Sequence, residues 1–155
     1  MTIEEDIAFF QRVRTLNLLS RAALRILAIG AESRAVEAGE VLFHGGEAAD
    51  CAYVVQEGSF GVLPHRAEGA AEEVVAGPGA LLDELAMITS SRRLATATAL
   101  EPSTVIRITR GLFLKMLEGY PETAVALRDA MAARSDQWLS ELRGVQAAME
   151  RRNEK

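Results

Sequence analysis

Between Gly77 and Leu100 the chain reads GPGALLDELAMITSSRRLATATAL. Two charged side chains in this stretch have complementary chemistry: Glu84, at the head of a short apolar helical turn, and Arg93, on the loop that follows. A carboxylate accepts from hydroxyls, a guanidinium forks onto a phosphate, and the amides of a helix N-terminus favour an anion beside them. Together these are the parts of a site for a sugar phosphate. Each residue also has an ordinary reading. Glu84 in a first turn favours the helix dipole by a few tenths of a kcal/mol, and Arg usually lies in solvent.

The surrounding composition bounds what such a site can belong to. The chain has 155 residues, 49% hydrophobic and 25% charged, which suits one globular domain with a core. A formal net charge of −5 argues against a basic nucleic-acid footprint over the whole chain. The lone cysteine, Cys51, lies in an apolar run and reads as a buried structural thiol, compatible with a reducing compartment. No apolar run is long enough to span a bilayer, and the acidic start MTIEEDIAFF is unlike a signal peptide. The expectation is a cytoplasmic protein with no membrane and no DNA partner. A DNA reader would need a helix-turn-helix after the last helix, and none is seen before Lys155. The two histidines, His44 and His65, are far apart and unaccompanied, so no metal site is expected. The lack of a His-X-His pattern likewise argues against a metal-dependent enzyme on a jelly-roll, and no catalysis is expected.

The elements that must position Glu84 and Arg93 follow from periodicity. Thr2 and Glu5 form a capping-box pattern, and Ile3, Ile7, Phe10 and Val13 continue at helical spacing, predicting a helix to about Arg14. Ser20 caps a second helix with Leu24, Leu27 and Ala28 on its buried face. From Ser33 the period shortens: 33–36, 40–43, 51–56, 59–63 and 72–76 read as strands separated by glycine turns, with Glu57-Gly58 as the clearest hairpin. His65 to Ala71 reads as a solvent loop. Strands at 95–99 and 104–108 follow the segment that carries Glu84 and Arg93, joined by Glu101-Pro102-Ser103. Close turn spacing of this kind predicts an antiparallel sandwich or barrel. Leu112, Phe113, Met116 and Leu117 then mark a short helix ended by Gly119, and Pro121 opens a long final helix. Trp138, Leu142, Val145 and Met149 step by four, three and four along it, which reads either as packing on the same domain or as a dimer seam or lid.

This order of elements resembles the cyclic nucleotide-binding domain family, the ligand module of the bacterial catabolite activator protein, of the regulatory subunits of cAMP-dependent protein kinase and of cyclic-nucleotide-gated channels. The resemblance rests on Ala38-Gly39-Glu40, the run from Phe43 to Asp50, the run from Tyr53 to Gly58, Gly77-Pro78-Gly79, Glu84-Leu85-Ala86, Arg93-Leu94-Ala95-Thr96 and the Phe113 to Pro121 helix pair. It implies an α+β fold: an antiparallel β-roll over 33–109, N-terminal helices over 1–31 and two C-terminal helices over 110–155, in a single domain spanning 1–155. It implies a regulatory ligand-binding role, with a phosphate-binding cassette at 77–98. The ligand residues it implies are Asp83, Glu84, Leu85, Ala86, Arg93, Leu94 and Ala95, with Trp138 as a candidate lid over the base. Glu84 would accept from the ribose 2′-hydroxyl and Arg93 would pair with the cyclic phosphate. No cofactor is implied, and the partners would be a cyclic nucleotide, a second copy through the last helix and an unidentified downstream protein.

Two positions depart from the family's pattern. Where it carries Gly before the Glu this chain has Asp83, and where it carries a small residue after the Arg this chain has Leu94; Arg92 also stands where Pro is common. Gly there lets an amide approach the phosphate and adopts φ values closed to other residues. A carboxylate about 5 Å from a phosphate at an effective dielectric of about 20 costs on the order of 3 kcal/mol. A charge-assisted Arg-phosphate hydrogen bond contributes roughly 1.5 to 3 kcal/mol, so the two nearly cancel. Asp83 escapes this conflict if it points outward or if Arg92 neutralises it. Leu94 has no hydroxyl of the kind the family uses to select cGMP, which favours cAMP. The expectation is weakened cAMP binding, with a degenerate, non-binding scaffold as the alternative. Asp83→Gly is expected to tighten cAMP binding and Arg93→Ala to weaken it. Calorimetric titration of the three proteins checks this, and equal affinities would remove the site from these residues.

Overall fold

The computed structural model describes residues 2–65, 72–130, 132 and 133. The chain enters through α1 (Ile3–Phe10), where the Thr2 hydroxyl accepts from the Glu5 amide at 3.2 Å and the Glu5 carboxylate accepts from the Thr2 amide at 3.3 Å. This capping box satisfies two of the helix's first orphan donors. The helix stops four residues short of Arg14. Its end tightens into Phe9–Arg12 and Phe10–Val13 backbone bonds, and Thr15 at φ 77° turns the chain out of helical space. A 3-10 turn at Leu16–Leu18 leads to α2 (Arg21–Gly30), capped by Ser20, whose hydroxyl accepts from Ala23 at 3.1 Å.

Ten antiparallel strands follow among the described residues, in two four-stranded sheets and a small ribbon. The first sheet places β1 (Glu32–Val36) beside β10 (Ser103–Thr109), then β4 (Cys51–Glu57), then β7 (Leu81–Leu82). The second orders β2 (Val41–Phe43), β9 (Ala95–Ala99), β5 (Phe60–Pro64) and β6 (Val74–Ala76). The ribbon pairs β3 (Ala48–Ala49) with β8 (Ser91–Arg92). The predicted α+β roll is therefore observed, and its longer strands fall within two residues of their expected limits. Three two-residue strands, β3, β7 and β8, have no counterpart in the sequence reading, since two residues carry no periodicity.

The Glu57-Gly58 hairpin is a correction. β4 and β5 do not pair; they lie in different sheets, and Gly58 at φ 88° turns the chain across the corner between them. The positive φ expected of a hairpin glycine is present, but it serves a change of sheet. Ser103 holds the corner, its hydroxyl accepting from the Ser59 amide at 3.2 Å and donating to the Glu101 carbonyl at 2.8 Å.

β4 explains how one roll serves two cores. Cys51, Tyr53 and Val55 point between the sheets and join Phe43, Phe60, Leu82, Ala97 and Val105. Ala52 and Val54 point to the other face, onto Phe10, Leu24, Leu27, Phe113 and Met116 of the helices. All five residues from Cys51 to Val55 are buried, so the strand reads as a continuous apolar run without alternation. The helical layer is completed by α3 (Arg110–Gly119), capped by Thr109, and by helical residues 121–130. Trp138, Leu142, Val145 and Met149 lie outside the described residues, as do residues 66–71 of the segment expected to be a solvent loop.

A Cβ added at Gly58 would sit 2.6 Å from Ser103 Cβ and 2.7 Å from its Cα, in a left-handed conformation. Gly58→Ala is therefore expected to destabilise the domain by about 2 kcal/mol or more, read as a lowered midpoint of thermal or urea unfolding.

Candidate ligand-binding site

Within the cassette, β7 ends at Leu82. Asp83 adopts φ 61°, ψ 55°, a left-handed conformation that Asp tolerates better than most residues. The chain then turns into a 3-10 helix, Glu84–Met87, whose Ala86 and Met87 are buried against the helical core. Arg110 fixes the far end, its Nη1 donating to the carbonyls of Thr89 at 3.0 Å and Ala49 at 3.1 Å. Arg93 follows β8, and its backbone is bracketed by the Gly45-Gly46-Glu47 turn: its amide donates to Glu47 at 2.8 Å and its carbonyl accepts from Gly46 at 2.8 Å.

The Arg93 side chain runs inward and is 5% exposed. Its Nη1 donates to the Cys51 carbonyl at 2.6 Å and to Asp83 Oδ2 at 3.0 Å, and its Nη2 donates to Cys51 Sγ at 3.2 Å. Its Cζ lies 4.6 Å from the centroid of the Phe43 ring and 5.5 Å from that of Tyr53, two rings stacked 5.9 Å apart. Hydrogen bonds, a counter-ion and aromatic faces thus compensate a cation taken out of water. The ordinary reading of Arg93 as a surface cation does not hold. Nor does an outward Asp83: its side chain is 7% exposed and its partner is Arg93. Arg92 is not the neutralising group, since its guanidinium donates to the Gly46 carbonyl at 2.9 Å.

Glu84 is engaged as well. Its Oε2 accepts from the Thr15 hydroxyl at 2.6 Å, a contact across sixty-nine positions of sequence. Thr15 is buried and sits at φ 77°, ψ −52°, a costly conformation for a β-branched residue. Among the described residues, Thr15 and Asp83 are the two non-glycine positions at positive φ. Both supply an internal partner to a group of the cassette: a hydroxyl to Glu84 and a carboxylate to Arg93. Backbone strain of about 1–3 kcal/mol per residue persists where surrounding contacts over-determine it, and here those contacts are the two polar anchors themselves.

Beside these groups lies a small cleft of about 240 Å³, lined by Phe43, Val62, Leu81, Leu82, Asp83, Leu94 and Ala95. A second cleft of about 370 Å³, lined by Arg14, Gly79, Ala80, Leu81, Asp83 and Glu84, lies against the other side of Asp83. The structure thus brings Asp83, Leu94 and Ala95 to one cleft and Glu84 to the adjoining one. Arg93 lines a third cleft, of about 800 Å³, together with Gly46, Glu47, His65, Arg92 and Leu94, while Ala86 is buried and Leu85 is partly exposed. Trp138 falls outside the described residues. Sequence reasoning missed Thr15 and the contact of Cys51 with Arg93. It missed the ring pair beneath Arg93 too, although Phe43 and Tyr53 were legible as inward strand residues.

Burial pushes the Asp83 carboxyl above the ordinary aspartate value, and the hydrogen bond and charge of Arg93 pull it back only in part. For Arg93, burial works against the charge, but Cys51 and Asp83 outweigh it and hold the guanidinium above its usual value. Asp83 therefore holds its proton more tightly in the folded chain than in the unfolded one. Its contribution to stability is full below about pH 3.9 and is lost as pH rises through the raised folded value. The unfolding free energy of the native protein, minus that of Asp83→Asn, is thus expected to fall as pH rises from about 4 toward neutrality. Paired urea titrations across that range check this, and a flat difference refutes it.

The model of the cyclic nucleotide-binding domain family matches residues 33–120. Among curated proteins, Lysophospholipase NTE1 of Pyricularia oryzae is 31% identical over 122 residues, 78% of this chain and 8% of the relative. An uncharacterized NTE family protein of Mycobacterium tuberculosis is 36% identical over 109 residues, 70% of this chain and 18% of the relative. This chain therefore spans only a small part of the length of these relatives. Among solved structures, a cyclic nucleotide-binding-like protein from Brucella abortus is 37% identical, with a TM-score of 0.64, covering 74% of this chain and 98% of that one. With the roll, the cassette and the family match in agreement, the chain belongs to the cyclic nucleotide-binding domain family.

Proposed function

We propose that this domain is a regulatory, non-catalytic ligand-binding module that takes cAMP at weakened affinity. The observation that supports this best is the Arg93–Asp83 pair at 3.0 Å. The guanidinium expected to hold a cyclic phosphate is present and rigidly placed, but a carboxylate of the same cassette already holds it. A phosphate must displace or share that carboxylate, and displacement leaves Asp83 a desolvated charge. In the bound form Arg93 would hold the phosphate, Glu84 would exchange the Thr15 hydroxyl for the ribose 2′-hydroxyl, and Leu94 and Ala95 would border the ligand. Leu94 offers no hydroxyl, which favours cAMP over cGMP. Ligand binding would then bias the packing of the C-terminal helices, the element through which a second copy or a downstream protein would be engaged. Trp138, Leu142, Val145 and Met149 support the dimer through their sequence spacing alone.

A second reading, a scaffold that binds no nucleotide, is favoured by a separate observation: Glu84 too is engaged from within, by Thr15 at 2.6 Å. Thermal unfolding with and without cAMP separates the two. A ligand at a hundredfold excess over its dissociation constant stabilises the native state by about 2.7 kcal/mol, roughly 5–10 °C for a domain of this size. A midpoint that rises with cAMP concentration and loses the rise in Arg93→Ala supports the sensor. An unmoved midpoint at millimolar cAMP supports the scaffold.

A further inference from the structure

We propose that the cassette cleft takes a neutral, hydroxyl-bearing ligand in preference to a nucleotide, with Asp83 as the residue that sets this choice. The inference rests on the reading of the cassette as a ligand site and changes the chemical class of what enters it. Among the described residues lining the cleft of about 240 Å³, the charged side chain is Asp83, whereas Arg93 is not part of the lining. Asp83 and Arg93 form an ion pair, and toward this cleft the pair presents its carboxylate end. The place on Arg93 that a phosphate oxygen would occupy is filled by Asp83 Oδ2 at 3.0 Å. Arg92, the other cation of the cassette, is turned away to the Gly46 carbonyl at 2.9 Å.

The remaining lining is apolar. Phe43, Val62, Leu81 and Leu94 offer a ring or other flat apolar body a surface to bury against. The same surface penalises an anion that arrives without a free counter-charge. A carboxylate has about four acceptor sites, and Arg93 is bonded to Oδ2 of Asp83, so ligand hydroxyls can still donate to it. A hydroxyl that donates to Glu84 would replace the Thr15 hydroxyl like for like. The volume lies below the roughly 300–1,000 Å³ of drug-sized pockets, which limits the ligand to about the size of a nucleoside.

Adenosine and cAMP form a matched probe pair, since they share base and sugar and differ by the cyclic phosphate. In calorimetric titrations the native domain is expected to bind adenosine about tenfold or more tightly than cAMP. Asp83→Gly and Asp83→Asn both remove the internal anion, and both side chains suit the left-handed backbone at this position. In each, cAMP is expected to become the tighter ligand as Arg93 becomes available. A native domain that prefers cAMP overturns this inference and leaves the cyclic-nucleotide reading standing. Adenosine preferred by the native protein and by both variants shows that Asp83 is not the determinant and overturns the assignment to it. Binding of neither probe by any of the three overturns this inference and the sensor reading together.

Discussion

The interaction on which the rest of this domain depends is the burial of one guanidinium. Arg93 ties three parts of the fold at a single point: β4 through the Cys51 backbone and thiol and the ring of Tyr53, the cassette through Asp83, and β2 through the ring of Phe43. A charge so placed is expensive unless every side of it is answered. Arg93 is therefore a structural element of the fold. Truncating it leaves Asp83 as an uncompensated buried carboxylate, which typically destabilises by about 3–5 kcal/mol. Affinity changes in Arg93 variants consequently carry a folding contribution, whereas changes at Asp83 to residues that accept a left-handed backbone alter the charge with less disturbance.

The second constraint is the double burial of β4. Its two faces join the inter-sheet core to the helical core, so the cassette, which docks on the helical side through Ala86 and Met87, is coupled to the roll through one strand. Arg110 at the start of α3 completes this by gripping the cassette from its far end. Cassette and C-terminal helix are thereby in direct contact, which is the physical link a regulatory domain needs between a ligand and a moving element.

Much of the fold was legible from local patterns. The capping box at Thr2 and Glu5, the glycine turns, and runs such as Cys51 to Gln56 and Ala95 to Ala99 report conformational preferences that the chain satisfies where they occur. What was not legible is non-local. The glycine at 58 announced a sharp turn but not whether the strands beside it would pair, because that depends on β10 and β9 arriving from some forty residues away. In the cassette, the residue types Glu84 and Arg93 were readable. The partners were not: Thr15 and Cys51 lie far away in sequence, and the direction of Asp83 follows from a single backbone rotation. A repulsion reckoned between Asp83 and an external phosphate leaves out the nearer cation, Arg93, at 3.0 Å from its carboxylate.

The left-handed backbone at Asp83 also places this domain in a particular mutational neighbourhood. Aspartate, asparagine and glycine are the residue types best suited to that conformation, and a codon for aspartate becomes one for either of the others by one base change. The backbone geometry need not alter in any of these steps, and the fold offers no barrier between them. A carboxylate, an amide and a bare backbone beside Arg93 are thus adjacent points in sequence space, so a lineage can change the charge of this cassette without first passing through an unfolded intermediate.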